Sequence, residues 1–198
     1  MSLRHAPATL RNRDPILAVL RRVLPRDGTV LEIGSGSGEH AAYFAAALAP
    51  LRWQPTDASD GDFASITGWA REHGASTVEP PIVLDATSDA WPVSRADAAF
   101  SANVIHIAPW RVTEGLLRGA SRALPPGAPL VLYGPFMREG AHTATSNAAF
   151  DAELRRRDPS WGIRDLGVVT DVAATHGLDL DDITEMPANN LTVVFRRR

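Results

Sequence analysis

The chain has no cysteine. That excludes disulfide staples, zinc–thiolate sites and a cysteine nucleophile. No metal is expected. It also lacks any apolar run long enough to span a membrane, so no membrane partner is expected. Its opening, MSLRHAPATLRNRDP, has no apolar core of the kind a secretory signal carries, and the expected compartment is the cytoplasm. Charge of one sign is not in excess either. A net charge of −3 gives no general attraction to nucleic acid. Two short basic runs, Arg155 to Arg157 and Arg196 to Arg198, read as a solvated helix face and a solvated edge. Internal repeats and low-complexity segments are missing as well.

What is present is an ordinary globular composition, 44% apolar and 22% charged over 198 residues. That length suits one domain with a full core, residues 1–198. The stretch around which the rest is organised is TVLEIGSGSGEH, residues 29–40. It reads as a buried strand, three glycines at alternate positions, and the start of a helix. Glycine permits a tight turn and close approach of backbone to a ligand. The helix start adds unpaired N–H groups and the positive end of the dipole. A pyrophosphate loop of the form G-x-G-x-x-G/A fits Gly36, Gly38 and Ala41, but fails from Gly34, where Glu39 takes the third position. Glu32 at the strand end disfavours a pyrophosphate and favours a cationic group.

The remaining chain alternates helix and strand. Residues 1–13 read as a polar arm or lid. Asp14 and Pro15 read as an N-cap and first helical residue, followed by an apolar face of Ile16, Val19, Leu20, Val23 and Leu24. Residues 51–55 form a second strand ending at Asp57, about where a doubly wound fold places the acid that binds a ribose. The plainer alternative, less favoured, is a turn or cap residue of the cluster DASDGD. Residues 82–84 form a third strand ending at Asp85 and Ala86, which could hold an adenine amino group or a plain turn. Residues 96–105 form a fourth strand that delivers Asn103 and His106 to the same edge, and residues 129–133 a fifth. Residues 137–146 are a polar excursion. Ser146 or Asn147 caps the next helix, and Asp165 the last. Two strands, 178–186 and 191–195, close the chain as a hairpin, which must be antiparallel. The alternation predicts an α/β fold, doubly wound, with a mostly parallel seven-stranded sheet, helices on both faces and right-handed crossovers.

The E-x-G-x-G-x-G pattern resembles the first motif of class I methyltransferases. Their cofactor, S-adenosylmethionine (SAM), carries an ammonium and a sulfonium. The resemblance narrows with LEIGSGSGEHAAYFAAALAPLRWQPTD, ANVIHIAPW, LYGPF, SNAAFDAELRRRDPSWGIRD and MPANNLTVVFRR. Together these look like the methyltransferase-like protein 26 family, class I methyltransferases without an assigned substrate. That resemblance implies a Rossmann-like sheet of order 3-2-1-4-5-7-6 with an antiparallel last strand. It places Glu32, Gly34, Ser35 and Gly36 along the amino-acid and ribose parts of SAM, Asp57 at the ribose, Asp85 and Ala86 at the adenine, and Asn103 near the methionine end. Serine at both positions between the glycines departs from the commonest motif, and is tolerable where backbone N–H groups do the binding.

Methyl transfer from a sulfonium needs mainly positioning and desolvation. A base is needed only if the acceptor must lose a proton. His106 and Tyr133 are weak candidates for that role. An imidazole bonded to loop backbone and a strand-end aromatic are the plainer readings. Asn12, Trp110, His142, Asn147, Trp161 and Asn189 are candidates to meet the acceptor, expected to be a small molecule. Equally, the tryptophans plug loops onto the core and the asparagines make turns. Alternatives to a methyltransferase producing S-adenosylhomocysteine (SAH) are a nucleotide-cofactor oxidoreductase and a non-catalytic SAM-binding module.

Overall fold

A computed structural model describes residues 3–198; Met1 and Ser2, part of the expected arm, lie outside the described residues. Its elements run α1 (Thr9–Val23), β1 (Thr29–Ile33), α2 (Glu39–Ala47), β2 (Arg52–Asp57), α3 (Phe63–Glu72), β3 (Ile82–Val83), β4 (Ala98–Ala102), α4 (Trp110–Ala123), β5 (Pro129–Gly134), β6 (Phe136–Arg138), β7 (Ala141–His142), α5 (Thr145–Arg157), β8 (Arg164–Asp165), α6 (Leu166–Thr175), β9 (Leu178–Met186) and β10 (Asn190–Arg197). The main sheet has seven strands in the order β3-β2-β1-β4-β5-β10-β9. This is the expected order once the short strands between β5 and β9 are set aside. β1, β2, β3, β4 and β5 pair in parallel, and β10 runs antiparallel to both its neighbours.

Parallel strands covered by helices on both faces are buried on both faces. Accordingly β5 is buried at every residue. Neighbouring side chains on β1 enter different cores. Leu31 and Ile33 pack with Leu116 and Leu117 of α4 and Val169 of α6. Val30 packs with Ile16 and Leu20 of α1 and Phe44 of α2. The Val193–Val194 pair on β10 divides in the same way. Burying both faces fixes the register, because a slip of one residue would move every side chain to the wrong core.

The start of the chain differs from the sequence reading. Residues Thr9–Arg13 are not arm but the first turns of α1, and Asp14–Pro15 lies inside that helix. Asp14 makes no cap; its carboxylate accepts from the Tyr43 hydroxyl instead. The earlier start is held by long-range contacts. Asn12 is buried against the glycine loop, and its side-chain oxygen lies 2.8 Å from His40 Nε2. The residues before it are stitched down too. The Ala6 N–H donates to Glu39 at 3.0 Å, the Arg4 N–H donates to Ser65 at 3.0 Å, and Arg4 pairs with Asp62 at 2.6 Å.

Two further differences lie after β4 and β5. The fourth strand stops at Ala102, and Val104–His106 form one turn of 3-10 helix. The polar excursion contributes to a second, three-stranded sheet of order β7-β6-β8. Neither Ser146 nor Asn147 caps α5, whose start carries no side-chain cap. Asp165 does cap α6 as expected, accepting from the N–H groups of Gly167 and Val168. Among the described residues, no helix is long and apolar enough to cross a membrane.

Candidate functional site

The carboxyl ends of β1, β2, β3 and β4 meet at one edge, where ligands of open α/β sheets bind. A cleft of about 480 Å³ opens there. Glu32, Gly34, Ser35, Gly36, Asp57, Asp85, Ala86 and Asn103 all line it. Every cofactor candidate is therefore brought to one place.

The loop that shapes the cleft is tied to β2. The N–H groups of Gly34 and Ser35 both donate to the Thr56 carbonyl, at 3.0 and 2.8 Å. The Gly36 N–H donates to Asp57 Oδ2 at 2.9 Å. Gly36 has φ +53°, and a Cβ added to it would meet nothing within 4 Å. The loop leaves open space in front of it. Gly38 has φ +84° and caps α2, and here a Cβ would collide with the backbone of Ile66. Only glycine satisfies both demands.

Glu32 is 2% exposed. Its Oε2 accepts from the Ser35 hydroxyl at 2.7 Å and from Trp53 Nε1 at 3.1 Å. Burial pushes its carboxyl up to about 7, the two donors hold it back, and the neighbouring Asp57 charge adds to the rise. Ser35 thus does more than leave backbone free. Its hydroxyl grips Glu32 and also accepts from the Thr56 N–H at 3.2 Å. Sequence reasoning missed that clamp. Asp57 Oδ1 accepts from the Ala58 N–H at 2.8 Å, so two of its roughly four acceptor positions are used internally. Asp85 Oδ1 accepts from the Thr87 N–H and hydroxyl, both at 2.8 Å, and these bonds hold its carboxyl below the usual range.

His40 also lines the cleft and was not singled out from the sequence. The signal was its place directly after the glycine motif. Burial, with the Arg13 charge, pushes its imidazole down to about 4, so it is neutral at physiological pH. It stacks on Phe44 with ring centroids 5.1 Å apart. Leu84, Ile107 and Val112 supply an apolar wall that the sequence reading also missed.

The remaining candidates separate. Tyr133, Asn12 and Asn147 line a second cleft beside the first. Asn189 stands next to it, donating to the Ser146 hydroxyl at 3.1 Å and accepting at its carbonyl from Asn147 at 2.9 Å. The other four do not reach either cleft. His106 is fully buried, and burial with the Arg164 charge pushes it down to about 3. Its carbonyl accepts from the Gly162 N–H at 2.9 Å, and its ring lies edge-on to Phe136. It secures a loop rather than facing solvent. Trp110 packs on the core beneath the Arg164 guanidinium. His142 lies 3.6 Å from Asp151. Trp161 sits in the loop after α5, its N–H donating to Asp158 at 3.0 Å.

Sheet order, the antiparallel β10 and a glycine loop after β1 define the class I methyltransferase fold. The solved structures that resemble this chain have that fold. The mitomycin 7-O-methyltransferase MmcR superposes with a TM-score of 0.81 at 19% identity, over 96% of this chain and 54% of its own. The S-adenosylmethionine-dependent methyltransferase SibL gives 0.78 at 22% identity, over 96% and 55%. An O-methyltransferase family 2 protein from Planctomyces limnophilus, solved with apigenin, gives 0.78 at 16%, over 94% and 62%. The chain thus spans little more than half the length of these structures. Over residues 3–197 it matches the family described as protein of unknown function (DUF938), and it belongs to that family.

Proposed function

We propose that the protein is a SAM-dependent methyltransferase acting on a small molecule. The observation that carries this reading is the charge of the first cleft. Glu32, Asp57 and Asp85 line it, and its one guanidinium, Arg4, is already paired with Asp62. Such a lining suits a ligand with a cationic end and two ribose hydroxyls, and opposes the pyrophosphate of a nicotinamide cofactor. The resemblance to the methyltransferase-like protein 26 family supports the same reading, as do the methyltransferase activities of SibL and MmcR, which share the fold. Residues 1–198 would act as a single cofactor-binding domain.

Glu32 would face the methionine ammonium, with Ser35 and Trp53 holding its carboxylate in place. Asp57 retains acceptor capacity for the ribose hydroxyls. Asp85 Oδ2 and the apolar wall of Leu84, Ile107 and Val112 suit the adenine amino group and ring. Asn103, in the left-handed region at φ 62°, is fixed by its N–H bond to the Tyr133 carbonyl at 2.7 Å. When bound, SAM would supply a methyl group activated by its sulfonium for transfer to the acceptor. The chain's own share is orientation and exclusion of water.

The test is turnover. Purified protein is incubated with methyl-labelled SAM and a protein-free small-molecule extract, and SAH is quantified. Extract-dependent SAH formation, lost in Asp57→Ala, is expected. SAM that binds but is never consumed across such extracts would instead favour a non-catalytic binding module.

A further inference from the structure

The second cleft measures about 460 Å³, within the range of small-molecule sites. Ala8, Asn12 and Asn103 line both clefts, so the two share a wall. Their charges are opposite. The first holds the carboxylates described above. The second is lined by no carboxylate and by no imidazole, and Arg11 is its one charged side chain. Arg11 is exposed and, unlike Arg4 and Arg22, has no carboxylate partner among the described residues. The N-terminal turn of α1, which carries Arg11, adds potential of the same sign.

The rest of the lining is a mixture of apolar surface and fixed amides. Phe150, 39% exposed, supplies apolar surface to the lining. Asn147 is buried and its amide N–H groups are committed, to the Thr143 hydroxyl at 3.2 Å and the Asn189 carbonyl at 2.9 Å. It can offer a ligand only an acceptor. Tyr133 is 3% exposed, and Asn12 lies beside its hydroxyl. Asn12 in turn meets His40 of the first cleft. The side chain that joins the clefts is therefore fixed from the side of the first.

We propose that this second cleft seats the methyl acceptor, and that the acceptor is a small organic anion with an apolar body whose acidic group rests on Arg11. This rests on the cofactor reading of the first cleft. The chemistry is consistent across the wall. Where the attacking atom is itself ionised, its reaction with a sulfonium cancels two charges, and a largely apolar cleft favours a reaction that loses charge. An acceptor oxygen that is ionised before it binds has no proton to give up. The absence of a carboxylate or imidazole from the lining then costs nothing. Where the acceptor atom carries hydrogen, the proton leaves to water at the open mouth.

The experiment uses full-length protein saturated with SAH. 4-Hydroxybenzoate and its neutral isostere 4-hydroxybenzamide are titrated into wild type, Arg11→Ala and Arg11→Lys. An exposed charge pair is worth about 1 kcal/mol, so the acid should bind about fivefold more tightly than the amide. Arg11→Ala should erase that preference, and Arg11→Lys should keep most of it. Equal binding of acid and amide, no binding of either, or a preference that survives Arg11→Ala would overturn the proposal. The SAH titration in the same samples separates the two readings. If SAH itself fails to bind, the cofactor reading falls; if SAH binds and the acid preference is missing, only the acceptor inference falls.

Discussion

Cofactor affinity should depend on pH through Glu32, and the size of the effect follows from its surroundings. Its carboxyl is pushed up to about 7 in the ligand-free site, chiefly by burial. A cationic group placed beside it restores the ionised form. Below pH 7 the ligand must first expel a proton, so affinity falls as pH falls. With a bound-state value near the ordinary 4.5, the loss between pH 8 and pH 5.5 is roughly 25-fold. Other shifted groups in the cleft lie outside this window. His40 is down at about 4, and Asp85 is held below the usual carboxylate range. Calorimetric titration with SAM at pH 5.5, 6.5, 7.5 and 8, in buffers of different ionisation enthalpy, reads both affinity and proton release. Near pH 7 about half a proton should leave per SAM bound. Glu32→Gln should weaken binding at high pH and flatten the profile. An affinity in wild type that is level from pH 5.5 to 8 would refute the role given to Glu32.

Further outcomes follow from the same contacts. Trp53→Phe removes the Nε1 donor that favours ionised Glu32, so the midpoint of the affinity profile should move to higher pH. In the ligand-free protein, the stability contributed by protonated Glu32 is complete below 4.5 and lost as pH rises through 7; urea titrations should show a loss of about 3 kcal/mol across that window, absent in Glu32→Gln. Gly38→Val places a side chain at positive φ against the Ile66 backbone, and should cost about 2 kcal/mol or more by urea melting. Asp165→Ala removes the cap of α6 and the bond to the Gly140 N–H. It should cost about 1–2 kcal/mol, with SAM affinity unchanged in the same preparation.

The first cleft was legible in the sequence because its determinants are local and the sheet is parallel. β1, β2 and the segment after β3 each carry a candidate residue near their carboxyl ends, and parallel strands deliver those ends to one edge. Glu32, Asp57 and Asp85 needed no knowledge of distant contacts. The start of α1 was not legible for the opposite reason. Asp14–Pro15 is a sound local start signal, but contacts such as Asn12 with His40 and Ala6 with Glu39, each some thirty residues apart, extend the helix past it. The small sheet of β6, β7 and β8 was invisible because strands of two or three residues carry no period. His106, Trp110, His142 and Trp161 show a third limit. A polar or aromatic residue in a loop reads alike whether it faces a ligand or anchors the loop, and only packing separates the two. Ser35 shows the reverse. It looked like filler between glycines, yet its hydroxyl holds the buried carboxylate.

The central claim is that the glycine loop and its carboxylates bind an adenosyl cofactor. The most direct measurement is calorimetric titration of the purified protein with SAM, SAH, NAD and NADP side by side, with Asp57→Ala as control. The account predicts micromolar binding of SAM and SAH, loss of about tenfold or more in the variant, and no comparable binding of the nicotinamide cofactors. Absence of adenosyl binding, or preference for a nicotinamide cofactor, would contradict it.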